Sequence, residues 1–326
     1  MEEFNIKTRV VGVDISNERT TYAIVDIRGN ILAENSFSTE DYPDINQFVT
    51  VLSERIVMQV EENGGYETIR SIGVSSPSAS PVSGCIENAA NLPWKGMIPL
   101  AAMLRDRLGL AVGLSNDAHI SALGEYTFGN AHGMSNFVLV SLGVGVGSCF
   151  FSSGRDHQGH LGFAGEFGHT CIEDGGRQCS CGHKGCLEEY VSTRGILQTV
   201  SELLEANDAP SKMRQKAALT LDDIAEYADE GDGIALEAWK RTGATFGIAL
   251  ANYASVVNPE AIILTGELTK YCGRMWAAME ESFMSNVFGN IREKVKIVVS
   301  EINDYERNVL GASALAWKVK EYSLFK

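Results

Sequence analysis

A chain of 326 residues, 44% hydrophobic and carrying 33 glycines, is long enough for two domains and turn-rich enough for a mixed α/β fold. Its 27 Lys and Arg against 42 Asp and Glu leave a net charge of −15, which argues against a nucleic-acid surface because phosphate contacts need clustered cations. No apolar run approaches the roughly 18 residues of a membrane span, and the N-terminal residues lack a basic-then-apolar leader pattern, so a cytoplasmic chain with no membrane partner is expected.

Short β-rich runs at 10–15, 21–26 and 31–37 are separated by turn residues, with Arg28-Gly29-Asn30 a hairpin turn. Apolar residues at helical spacing (Phe48, Leu52, Ile56, Val60) predict a helix over 45–62, stopped by Asn63-Gly64-Gly65. A strand follows at 69–74, and another at 112–114 leads through Ser115-Asn116-Asp117 into an apolar helix over 118–125. Strand 137–142, a glycine-rich turn over 143–147, strand 148–151 and a turn at Gly154-Arg155-Asp156 echo the opening order and suggest a duplicated fold. A long helix over 233–257 stops at Asn258-Pro259 before a strand at 261–264, and a last helix covers 310–319.

Among seven cysteines, Cys85, Cys149, Cys171 and Cys272 stand singly among apolar neighbours and read as small buried hydrophobes. The other three, Cys179, Cys181 and Cys186, fall within eight residues that include Gly182 and Gly185, with His169 ten residues upstream of the first. Thiolates and imidazole are preferred ligands of Zn²⁺, and three Cys with one His make a closed, structural set. The alternative, a disulfide or free thiols, is disfavoured in a chain without secretory features.

Glu166-x-x-His169, followed over 179–188 by Cys-x-Cys-Gly-x-x-Gly-Cys-x-Glu, closely resembles the zinc motif of the ROK family of bacterial sugar kinases and sugar-responsive repressors. The resemblance runs from Val10 to Trp317 and is closest to the glucokinase-like branch. It implies two ribonuclease-H-like domains of the actin and hexokinase type with a cleft between them. The smaller would span 1–116, joined by a C-terminal helix at 303–326, and the larger, with the zinc loop, would span 117–302. It further implies that the zinc is structural and that its loop presents Glu166, His169 and Glu188 to a hexose.

Phosphoryl transfer to a sugar hydroxyl needs a carboxylate to accept the proton, and the end of a strand is where open α/β sheets place such groups. Asn116 or Asp117 could equally serve only to cap the following helix. The resemblance makes Asp117 the catalytic base and Asn116 a hydroxyl ligand. It also makes Asn91-Leu92-Pro93-Trp94 the segment that closes over the sugar, with Asn91 in contact.

The nucleotide motifs depart from the family pattern. The family's Asp-x-Gly-Gly-Thr-Lys reads Asp14-Ile15-Ser16-Asn17-Glu18-Arg19, and its Gly-Thr-Gly-x-Gly reads Gly143-Val144-Gly145-Val146-Gly147. The Gly-Gly that ends the adenosine motif reads Gly266-Glu267, and the sugar-side Gly-x-Pro-Gly turn reads Ser75-Ser76-Pro77-Ser78. Asp14, Gly143, Gly145, Gly147 and Gly266 remain as nucleotide residues, and MgATP binding should be weak.

The expected activity is MgATP-dependent phosphorylation of glucose or a related hexose at the 6-hydroxyl, the glucokinase-like reaction. The alternative is a non-catalytic, sugar-binding regulator with a degenerate nucleotide site. Repressors of the family place a helix-turn-helix before the first strand; only nine residues precede Val10, so DNA binding is not expected. The family also suggests a homodimer.

Overall fold

The computed structural model describes residues 7–89, 91–160 and 162–319; the expected ends of the first domain, 1–6 and 320–326, lie outside the described residues. The chain divides into two units, Met1–Gly133 with Gln158–Gly162 and Glu301–Lys326, and Met134–His157 with Phe163–Ser300.

The first unit runs β1 (Arg9–Ile15), β2 (Arg19–Asp26), β3 (Ile31–Ser38), α1 (Ile45–Glu62), β4 (Ile69–Ser75), β5 (Ala79–Ser80), β6 (Cys85–Glu87), β7 (Met97–Ile98), α2 (Leu100–Leu108), β8 (Ala111–Ser115) and α3 (Asp117–Phe128). The second runs β9 (Phe137–Leu142), β10 (Val146–Ser152), β11 (Arg155–Asp156), α4 (Glu188–Val191), α5 (Thr193–Ala206), α6 (Leu221–Asp229), α7 (Gly233–Val257), β12 (Ala261–Thr265), α8 (Cys272–Asn286) and β13 (Lys296–Val299). The chain then returns to the first unit as α9 (Asp304–Lys318).

Both main sheets have one topology. The order is β3-β2-β1-β4-β8 in the first and β11-β10-β9-β12-β13 in the second. In each, the leading strand pairs antiparallel with the next and parallel with the fourth, and the fourth pairs parallel with the fifth. The internal duplication suggested by the two β–turn–β units is therefore real at the level of topology.

In the first unit, β1 is covered on both faces, which explains its nearly unbroken apolar run. Val11, Val13 and Ile15 share a core with Phe48, Leu52 and Ile56 of α1, while Val10 packs with Val309 of α9. The helix can lie close because two glycines face it: a Cβ at Gly12 would stand 2.4 Å from the Val309 carbonyl oxygen, and one at Gly73 1.9 Å from that of Ala312. Helix α1 starts where Asp44 accepts a hydrogen bond from the Gln47 N–H (2.9 Å), and its chain turns away at Gly64 and Gly65, both at positive φ.

Several boundaries differ from those expected. Helix α3 belongs to the first unit, so the division falls at Gly133/Met134 and not at Asn116/Asp117. The reason is its contact with α9: Gly311 meets the Ile120 carbonyl, and Arg307 Nε lies 3.2 Å from the buried Glu125 carboxylate. Val146 pairs with Leu142, so the glycine turn is only Gly143–Val144–Gly145, and Gly147 sits inside β10 opposite Ser141. Ser153 and Gly154 alone make the next turn, because Arg155 and Asp156 pair back onto β10. Helix α9 begins at Asp304, six residues before the apolar pattern announces it. Cys171 is exposed rather than buried, unlike Cys85, Cys149 and Cys272.

Candidate functional site

The residues singled out from sequence divide between the units, and each unit builds its own group. In the first, Asp14, Ser75 and Ser115 lie in one register across the carboxyl ends of β1, β4 and β8. Parallel strands leave their C-terminal ends open to ligands in folds of this kind. Asp117 follows as the first residue of α3. Asp14 and Asp117, 103 positions apart in sequence, are close enough for the charge of Asp117 to act on Asp14.

Both carboxyl groups are held above the usual carboxylate range. Burial is the main cause for Asp14, which is pushed up to about 6; the negative charge of Asp117 adds to the effect, and the polar groups of Ser75 and Asn308 oppose it. Burial likewise raises Asp117, against the Ala118 N–H and the nearby His119. A raised carboxylate is a stronger base. That is what proton removal from an alcohol requires.

Asn116 does cap α3: its Oδ1 accepts from the Ala118 N–H at 2.9 Å, and Asp117 Oδ1 accepts from the same group at 2.8 Å. Capping therefore engages the amide oxygen of Asn116 and leaves its NH₂ as a donor. Asn91 is exposed, beside the buried Leu92 and Trp94. The Trp94 indole N–H donates to the Tyr42 carbonyl (3.0 Å) and its ring packs on Phe48, which makes this Trp part of the core.

The second unit gathers His169, Cys179, Cys181 and Cys186 so that their ligand atoms all lie within 4.8 Å of one another. His169 Nδ1 is 3.7 Å from Cys179 Sγ, and Cys181 Sγ is 3.6 Å from Cys186 Sγ. These four could hold a metal ion. Burial, then the neighbouring thiols, push the Cys186 thiol up to about 12. With Nδ1 turned to the sulfurs, His169 keeps Nε2 for another partner.

The cluster is fixed from behind by contacts that the motif does not reveal. Phe167 stacks on Tyr253 with ring centroids 3.3 Å apart, and the Tyr253 hydroxyl donates to the Phe167 carbonyl (2.8 Å). The Arg177 guanidinium donates to the carbonyls of Glu189 (2.6 Å) and Gly195 (3.0 Å) and to Glu202 (2.6 Å), lying over the Tyr190 ring. Arg177 thereby ties the cysteine loop to α5. An isolated Arg in a polar loop carries no sequence signal for that role.

Glu166 is exposed at the turn before His169. Glu188 opens α4; its Oε2 accepts from the Val146 N–H (3.0 Å), and its Oε1 lies 3.3 Å from Arg194 Nη2. Glu188 thus stands at the start of β10, against the Gly143–Gly145 turn.

The positions that depart from the family's nucleotide motifs carry visible consequences. In the first unit, the Ser16 N–H and hydroxyl both bond the Arg19 carbonyl (2.9 Å each), and the Asn17 amide donates to Glu40 (3.0 Å). Ser16, Asn17 and Glu18 all keep negative φ, so the turn needs no glycine, and it uses the Ser16 N–H for itself. In the second unit, Val144 is 73% exposed at the tip of its turn. The Glu267 carboxylate lies 3.6 Å from where a Cβ of Gly143 would be, and Thr193 Oγ1 bonds it at 3.4 Å. An anion therefore faces the remaining glycine turn. Gly266, before it, takes φ +90 with the Leu142 carbonyl 2.4 Å from its missing Cβ, so only glycine fits there.

Two copies of the same five-stranded sheet, each with a turn at the end of its leading strand, define a protein with two ribonuclease-H-like domains of the actin and hexokinase type. Within that class the chain belongs to the ROK family, whose model matches residues 10–319. It is 28% identical over 318 residues to a glucokinase of Streptomyces coelicolor, covering 94% of this chain and 96% of the relative. It is 27% identical over 318 residues to a xylose repressor of Caldicellulosiruptor bescii, covering 94% of this chain and 77% of that one. A ROK hexokinase from Thermus thermophilus shares the fold at a TM-score of 0.83 and 23% identity, over 95% of this chain and 98% of the other. No helix among the described residues is long and apolar enough to cross a membrane.

Proposed function

We propose that this chain is an ATP-dependent hexose kinase that phosphorylates glucose or a related hexose at its 6-hydroxyl. The observation that carries the reading is Asp117: it stands at the carboxyl end of β8, beside Asp14, with burial raising its basicity. Its carboxylate would take the hydroxyl proton as the oxygen attacks the γ-phosphorus, and ADP would leave. Asn91 and Asn116 from the first unit, and Glu166, His169 and Glu188 from the second, are the proposed hexose contacts. Mg²⁺ bound with ATP would neutralise phosphate charge, with Asp14 and the glycines Gly143, Gly145, Gly147 and Gly266 on the nucleotide side. The four-residue Cys/His set suits a structural Zn²⁺, since three thiolates and an imidazole leave no open position. We place the protein in the cytoplasm as a homodimer, without a nucleic-acid partner.

Glu267 favours a second reading, a sugar sensor that no longer transfers phosphate. Its carboxylate beside Gly143, with Glu18 in the other phosphate turn, opposes a polyanionic ligand in both units. ADP release measured over a panel of glucose, mannose, fructose and N-acetylglucosamine separates the two. Sugar-dependent release supports the kinase, and sugar binding without release supports the sensor.

A further inference from the structure

Arg194, the second residue of α5, reaches back to the two carboxylates that open α4. A single nitrogen, Nη2, lies 2.6 Å from Glu189 Oε1 and 3.3 Å from Glu188 Oε1. The Glu189 side chain is 4% exposed and that of Glu188 12%, whereas Arg194 is half exposed. Ligand atoms of Cys179, Glu188 and Glu189 lie within 4.8 Å of one another. Two carboxylates and a thiol are thus packed at the edge of the cysteine cluster. Such groups repel when ionised unless a cation is shared between them.

We infer that Arg194 is a positioning residue that holds Glu188 ready for a hexose hydroxyl. The inference rests on Glu188 being a sugar acceptor, as proposed above. The Val146 N–H fixes Oε2 of Glu188 from β10, and the Arg194 guanidinium draws Oε1 from α5 while screening it from Glu189. Each oxygen keeps a free lone pair for a sugar hydroxyl. A carboxylate so held loses little freedom on binding, whereas one displaced by its neighbour must first be brought back. Arg194 acts on the acceptor and not on the reacting atoms, so its loss should weaken sugar binding and leave the chemical step alone.

The test is calorimetric titration of the full, metal-loaded chain with D-glucose, for the unmodified protein and for Arg194→Met, Arg194→Lys, Glu188→Gln and the double variant Arg194→Met with Glu188→Gln. Arg194→Met should weaken glucose binding about 10- to 150-fold, the range of one charge-assisted hydrogen bond. Arg194→Lys should recover most of that loss, zinc content should stay unchanged, and the double variant should bind no more weakly than Glu188→Gln alone. Arg194→Gln replaces the Met variant should the latter fail to fold. Affinity within twofold of the unmodified chain in Arg194→Met, or losses that multiply in the double variant, would overturn the proposal. If Glu188→Gln binds glucose as well as the unmodified chain, the sugar-acceptor assignment itself falls, and the role of Arg194 with it.

Discussion

Asp14 is the residue where burial and chemistry conflict most openly. Its pKa of about 6 against an ordinary 3.8 means that the fold favours the protonated form. That contribution to stability is fully present below pH 3.8 and is lost as the pH rises through about 6. Asp14→Asn, which cannot ionise, should therefore gain on the unmodified protein between pH 4 and pH 7, by up to about 3 kcal/mol. Urea denaturation at the two pH values checks this, and a constant difference would contradict it. Asn116 offers a separable test, since its oxygen caps α3 while its NH₂ donors stay available for sugar. Asn116→Ser keeps a capping oxygen, so stability should change by less than about 0.5 kcal/mol, while hexose affinity falls by about 1–3 kcal/mol. Equal sugar affinity by calorimetry would remove Asn116 from the site.

At the scale of elements, the turn after β4 shows how the fold outlives its motif. Ser78 takes φ +53 where the family's turn has its second glycine, a backbone that disfavours a side chain. Ser78→Gly should raise stability by about 1 kcal/mol, read as a higher thermal midpoint; a lower midpoint would show that the hydroxyl contributes more than the strain. The cysteine loop is the opposite case, an element that depends on its ligands. Cys181→Ser should lose bound zinc, lower the thermal midpoint and weaken sugar binding. Metal analysis finding no zinc in the unmodified protein would remove the premise.

These two elements also mark what could be seen in the sequence. The cysteine cluster was legible because its ligands are nearly contiguous, and β1, α1, β9 and α7 because their apolar periods are long and clean. The small β5-β6-β7 sheet and α2 carry too few residues for a period to emerge, and α9 opens with Asp304, Tyr305 and Glu306, which hide its start. Asp14 and Asp117 as a pair, and Arg194 between two glutamates, depend on strand register and helix placement; neither leaves a mark in local spacing.

For the whole molecule, a glutamate reaches each of the two turns proposed for phosphate, by a different route in each unit. Glu18 lies in the turn between β1 and β2, whereas Glu267 follows β12 and brings its carboxylate beside Gly143. A net charge of −15 gives no general attraction for a polyanion, so local amides and Mg²⁺ must supply it. MgATP should saturate only toward the weak end of the roughly 1 μM–1 mM range usual for substrates.

Direct detection of phosphorylated glucose from MgATP, in the unmodified chain, in Asp117→Asn and in a chain restored as Ser16→Gly, Asn17→Gly, Glu18→Thr and Val144→Thr, tests the kinase account most directly. The account predicts slow, glucose-dependent product from the unmodified chain, at least about 100-fold less from Asp117→Asn with glucose still bound, and more from the restored chain. No product from either the unmodified or the restored chain, with glucose binding intact, would contradict it and leave the sensor.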